Sequence, residues 1–181
     1  MSLHWLPNAI SISRILLILP ILWLFIREEF GWALGLFLFA SLSDGIDGYL
    51  AKKYNWNTQL GAFLDAAGDK LLVAFSYGTL AFLGQLPVWL AVVVILRDVV
   101  IVAGSFMYHY LVRRLEGAPT RISKLNTALE FIFLVFVMSR AGYGWPDQIT
   151  VTIFGAAVLI TVVISGYDYV SNWIRGARSG D

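Results

Sequence analysis

A chain of 181 residues that is 59% hydrophobic and only 14% charged, with a mean hydropathy of +0.74, carries more apolar surface than one soluble core can hide, since soluble domains run at about 45–50% apolar and about 25% charged. Its net charge of +1 argues against a surface built for nucleic acid or another polyanion. With no cysteine, disulfides and thiolate chemistry are excluded.

Met1 to Pro7 lacks the basic start and small-residue cleavage site of a secretory leader, so the first apolar run is expected to stay in the mature protein. Six segments then reach the roughly 20 apolar residues that a membrane helix needs: Asn8–Ile26, Gly31–Lys52, Gln59–Leu83, Pro87–Val112, Ile122–Arg140 and Asp147–Ile174. Charged or helix-breaking stretches separate them, such as Arg27-Glu28-Glu29 and Gly142 to Pro146. The alternating segments of about ten residues that mark a membrane β-barrel do not occur. The expected fold is all-α: one integral membrane domain over residues 1–181, a bundle of six transmembrane helices.

Lys and Arg set its orientation. With the N-terminus in the cytoplasm, the inner side carries Lys52, Lys53, Arg113, Arg114, Arg121, Lys124, Arg175 and Arg178, and the outer side only Arg27 and Arg140. Both termini are therefore expected to be cytoplasmic.

Against this apolar background the second and third spans carry Asp44, Asp47, Asp65 and Asp69. A carboxylate at mid-bilayer costs at least about 2.5–3.5 kcal/mol, and such residues usually mark function. Asp44 and Asp47, three apart, share one helix face; Asp65 and Asp69, four apart, share a face of the next. The short connection predicts that the two helices pack as antiparallel neighbours. At about 1.5 Å per residue, Asp47 and Asp44 lie about 7 and 12 Å inside their helix end, and Asp65 and Asp69 about 9 and 15 Å inside theirs. The four would pair in two layers opening to the cytoplasm. Unneutralised, they would repel or take up protons. Divalent cations answer this, and an oxygen-only donor set suits Mg²⁺, Mn²⁺ or Ca²⁺ over zinc.

Two other readings compete with a metal site. The aspartates would merely bind helices together through Lys70, Arg97 and Arg14, although buried ion pairs stabilise poorly. Alternatively they would line a cation or proton pathway, which should spread acids across the whole membrane depth instead of its inner half. Gly48, Ala51 and Gly61, beside the carboxylates, allow close helix packing or leave room for a nucleotide, and both can hold.

Written out, Asp44-x-x-Asp47-Gly48-x-x-Ala51-Lys52, eight residues, then Gly61-x-x-x-Asp65-x-x-x-Asp69 resembles the motif of the CDP-alcohol phosphotransferases. Lys52 stands where that family usually has arginine, which keeps the cation and loses the bidentate fork. Pro7-Asn8-Ala9-Ile10-Ser11 with Arg14 is similar to the start of the family's phosphatidylglycerol-phosphate and cardiolipin synthases. Arg97-Asp98-Val99 and Ile122-Ser123-Lys124-Leu125-Asn126-Thr127 look more like its eukaryotic-type cardiolipin synthases.

The resemblance implies a metal-dependent transfer from CDP-diacylglycerol, with two Mg²⁺ or Mn²⁺ ions held by Asp44, Asp47 and Asp65 and one shared with Asp69. Asp44, Gly48, Ala51, Lys52, Gly61 and Asp65 would bind the CDP moiety. Asp69 would be the general base for the acceptor hydroxyl. The acceptor would be phosphatidylglycerol or glycerol 3-phosphate, with Arg14, Arg97 and Lys124 the cations to receive it. Each of these also has an ion-pair reading, with Asp98, Glu130 or the aspartates. A homodimer in the bacterial inner membrane, with its active site facing the cytoplasm, follows from the same resemblance. His4 and His109 are isolated and read as interfacial, and most Trp and Tyr fit interface anchoring. Asp168, flanked by Tyr167 and Tyr169, suggests no role.

Overall fold

The computed structural model describes the backbone of residues 6–53, 59–112 and 121–178, and the side chains of 16–43, 68–103, 122–168 and 171. All of the described secondary structure is helical: α1 (Leu6–Ile26), α2 (Phe30–Lys53), α3 (Gln59–Phe82), α4 (Val88–Val112), α5 (Arg121–Tyr143) and α6 (Gln148–Arg178). Six helices thus stand where the hydropathy pattern predicts them.

The small boundary differences have local causes. Pro87 lacks an N–H and serves as the cap of α4, its carbonyl accepting from the amides of Leu90 (3.0 Å) and Ala91 (3.3 Å). Asp147 caps α6 in the same way. Its carboxylate accepts from the Thr150 hydroxyl, and this bond, joined by the amides of Thr150 and Ile149, holds its carboxyl below the usual aspartate range. α5 runs past Arg140 to Tyr143 because Gly144, at a φ of 73°, is the residue that turns the chain.

Three short turns close the α1/α2, α3/α4 and α5/α6 pairs at one end of the bundle, and the acidic halves of α2 and α3 lie toward the other. The helices form a closed ring in the order α1, α3, α4, α6, α5, α2, with α3 also touching α5 across it. Among the described residues, α2 and α3 each pack on α1; the ends of α2 and α3 that their short connection joins, where antiparallel packing is expected, lie outside the residues with described side chains. α1, wholly apolar from Ile15 to Ile26, can be buried against two helices at once.

The ring encloses an apolar core that includes Ile21, Phe25, Phe37, Leu80, Val94, Phe133, Leu134, Met138 and Val158. Phe37 stacks on Phe131 with centroids 5.0 Å apart, and Phe136 meets Phe154 edge-on at 4.7 Å. The outside is apolar as well: Trp32 (75%), Ile149 (70%) and Phe82 (89%) are widely exposed. Two stretches, Ile122–Tyr143 and Gln148–Asp168, are long and apolar enough to cross a membrane among the described residues, and Leu16–Ile26 and Phe30–Ser43 are shorter apolar stretches.

Candidate active site

Of the residues expected to act as base or to hold metal, donor or acceptor, Asp69, Arg97 and Lys124 have described side chains. Asp44, Asp47, Gly48, Ala51 and Lys52 belong to α2, Gly61 and Asp65 to α3, and Arg14 to α1. Their side chains lie outside the described residues, as do His4 and His109. Among the described residues no three His, Cys, Asp or Glu side chains converge as a metal centre, since only one of the four expected ligands, Asp69, is among them.

Asp69 is exposed, ten residues into α3. The next residue, Lys70, begins a polar cluster that crosses the ring. Its Nζ donates to Asp98 Oδ1 at 2.7 Å. The same oxygen accepts from Arg97 Nη1, also at 2.7 Å. Arg97 Nη2 donates to the hydroxyls of Ser123 (2.9 Å) and Ser165 (2.6 Å). One carboxylate and one guanidinium so join α3, α4, α5 and α6.

This cluster is unequally exposed. The side chains of Arg97 and Asp98 are 6% and 8% accessible, whereas that of Lys70 is 29% accessible. Charges drawn this far from water are costly unless they are paired and hydrogen-bonded; here the two cations share one anion, and two hydroxyls complete the guanidinium's terminal nitrogens. Among the described residues Arg97 Nε has no partner.

A second polar group lies deeper. Asn126 Nδ2 donates to Glu130 Oε1 at 2.5 Å, and Asn126 Oδ1 accepts from the Thr161 hydroxyl at 2.8 Å. Tyr77 reaches from α3 to donate to the Glu130 carbonyl at 3.2 Å. Glu130 is fully buried, and its Oε2 has no partner among the described residues. Lys124, by contrast, is exposed.

The sequence points to Arg97 and Lys124 as acceptor cations, each with an ion-pair alternative. Arg97 does pair with Asp98, and Glu130 is engaged by Asn126. What the sequence did not reveal was that Lys70 and Arg97 share one carboxylate, or that Ser165 and Thr161 of α6 complete the two clusters. Lys70 and Asp98 are 28 positions apart, and no local spacing links them. The available signal was Lys70 itself, a cation beside Asp69 in an apolar helix.

Residues 4–164 match the family model described as CDP-alcohol phosphatidyltransferase. The chain is 32% identical to the human protein named cardiolipin synthase (CMP-forming), over 91% of its own length and 60% of that relative's. It is 30% identical to a Streptomyces coelicolor protein of the same name, covering 84% of this chain and 73% of the relative. It is 29% identical to a Shigella flexneri CDP-diacylglycerol–glycerol-3-phosphate 3-phosphatidyltransferase, covering 87% of this chain and 88% of the relative. The chain thus spans about 60% of the length of the human relative.

Proposed function

The chain belongs to the CDP-alcohol phosphatidyltransferase family, and from that premise we propose that it builds a phospholipid by moving a phosphatidyl group from CDP-diacylglycerol to an alcohol, releasing CMP. The observation that carries this reading is the family match over residues 4–164, a span that contains the whole Asp44-to-Asp69 motif.

The acceptor hydroxyl oxygen attacks the phosphorus that bears the diacylglycerol. The bond from that phosphorus to the CMP oxygen breaks, and CMP departs with the electron pair. Asp69 takes the hydroxyl proton. Asp44, Asp47, Asp65 and Asp69 form an oxygen-only donor set that fits Mg²⁺ or Mn²⁺. Two such ions would supply charge neutralisation for the pyrophosphate and the leaving group. Gly48, Ala51 and Gly61 leave space for the cytidine against the helix backbones, and Lys52 steadies a donor phosphate.

Arg97 and Lys124, with Arg14, supply cationic character near the acceptor. Phosphatidylglycerol is the favoured acceptor, giving cardiolipin. Support comes from the relatives of that name and from the Arg97-Asp98 and Ser123-to-Thr127 segments. The Shigella relative, matched over 88% of its length, favours a second reading with glycerol 3-phosphate. All six helices cross the membrane in this proposal, with both termini and the active site cytoplasmic, in a bacterial inner membrane and as a homodimer. The widely exposed apolar exterior supports the membrane setting. Residues 1–181 act as one domain.

Two measurements test the proposal. The purified protein should release CMP from CDP-diacylglycerol with Mg²⁺ or Mn²⁺ and not in chelator; full activity after metal stripping would remove the metal site. Labelled acceptors then choose between readings, since faster incorporation of glycerol 3-phosphate than of phosphatidylglycerol would favour the second.

A further inference from the structure

The transfer just proposed needs a cation for the acceptor's own phosphate, and the geometry points to Lys70 as the residue that makes that contact. On this inference, which rests on the transferase reading, Asp98 is the anion that holds Lys70 in place until the acceptor arrives.

Arg97 is poorly suited to meet the phosphate itself. Both of its terminal nitrogens are engaged, by Asp98 at 2.7 Å and by Ser123 and Ser165 at 2.9 and 2.6 Å. Its side chain is 6% accessible. A phosphate reaching it would have to displace a carboxylate and two hydroxyls inside the ring. Lys70 differs on each count. Its ammonium has three donors, of which Asp98 takes one among the described residues. Its side chain is 29% accessible, the most open of the three charged groups.

Position in the chain adds an independent reason. Lys70 directly follows Asp69, so the group that takes the hydroxyl proton and the group that grips the phosphate sit on adjacent residues of one helix. In phosphatidylglycerol and in glycerol 3-phosphate alike, a three-carbon glycerol separates the reacting hydroxyl from the phosphate. Successive side chains of a helix diverge by about 100°, so a base and a cation at neighbouring positions of α3 can meet the two ends of that three-carbon unit. Because Asp98 Oδ1 bridges Lys70 and Arg97, an incoming phosphate can share Lys70 while Arg97 stays bound to Asp98. Arg97 is then a positioning residue, acting through Asp98.

The test is steady-state kinetics with each substrate varied in turn, for phosphatidylglycerol and separately for glycerol 3-phosphate. Lys70→Ala should raise the acceptor KM about tenfold or more, the scale of one lost charge-assisted hydrogen bond, and leave the donor KM within about twofold. Lys70→Arg should restore most of the acceptor affinity. The acceptor that shows the shift identifies the source of the phosphate. If Lys70→Ala does not fold, Lys70→Gln keeps a donor toward Asp98 without the charge and should show the same split. An unchanged acceptor KM in a folded Lys70→Ala or Lys70→Gln protein would reduce Lys70 to an ion-pair strut and overturn the inference. Failure of the transferase reading would look different, because the wild-type protein itself would then release no CMP.

Discussion

At the charged end of the bundle, α3, α4, α5 and α6 meet at Lys70, Asp98, Arg97, Ser123 and Ser165, five polar side chains with fixed partners. At the short-turn end, helices meet through Phe25 against Phe30, Phe136 against Phe154, and the backbone of Gly142 against that of Gly31. The first kind of contact is directional and fails steeply when one partner is lost, because the survivor keeps a buried charge. The second kind loses stability in proportion to the volume disturbed. A bundle that only had to be stable could use aromatic and glycine packing throughout. Placing charges at one end fixes side-chain positions there, beside Asp69, the base of the proposed transfer.

The comparison breaks most sharply at Asp69. Asp69→Asn should lower turnover by about two to four orders of magnitude, the range for a lost general base, while donor binding stays largely intact. Retention of more than about a tenth of the wild-type rate would end its assignment as base. Asp98→Leu comes next. It strips the shared anion from Lys70 and Arg97, and should destabilise the protein by about 3–5 kcal/mol, the scale of breaking a buried pair. Thermal unfolding in detergent reads this. A loss below about 1 kcal/mol would mean the cluster is solvated like a surface pair.

The short-turn end should respond more mildly. A Cβ on Gly142 would lie 2.8 Å from the Gly31 nitrogen and 3.2 Å from its Cα, and backbone atoms cannot swing aside as a side-chain tip can. Gly142→Ala should therefore cost about 1–3 kcal/mol with little change in acceptor or donor KM. A selective rise in either KM would show that the two ends are coupled more tightly than their chemistry suggests.

Much of this was readable in the sequence, and for definite reasons. Helices cross an apolar medium by satisfying their own backbone, so runs of about 20 apolar residues locate them without any tertiary knowledge. Helical period alone places Asp44 with Asp47 on one expected face and Asp65 with Asp69 on another, and the side chains of Asp44, Asp47 and Asp65 lie outside the described residues. Neighbour choice was less readable: α1 packs on both α2 and α3, which no local pattern announces. The partners of Arg97 and Asn126 were hidden for the same reason. Ser165 and Thr161 lie 68 and 35 positions away from them, and nothing in a local pattern encodes such a pairing.

The smallest expected effect concerns how the helices stop at the short-turn end. α1 and α3 end alike. Glu29 N donates to Leu24 O and Glu28 N to Phe25 O, and correspondingly Gln85 N donates to Leu80 O and Gly84 N to Ala81 O. In each, the second residue past the helix adopts a positive φ, 59° at Glu28 and 72° at Gly84. Glycine takes that conformation freely, whereas a residue with a Cβ is strained in it. A Cβ built on Gly84 meets nothing within 4 Å, so Gly84→Ala isolates the backbone cost, expected at about 1 kcal/mol. The reciprocal change, Glu28→Gly, should relieve the same strain and raise stability by about 0.5–1 kcal/mol, net of the greater freedom glycine gives the unfolded chain. Thermal unfolding of the two single variants checks both signs. If Glu28→Gly lowers stability instead, the Glu28 side chain contributes more at this turn than its strained backbone costs, and the two caps are alike in bonding only.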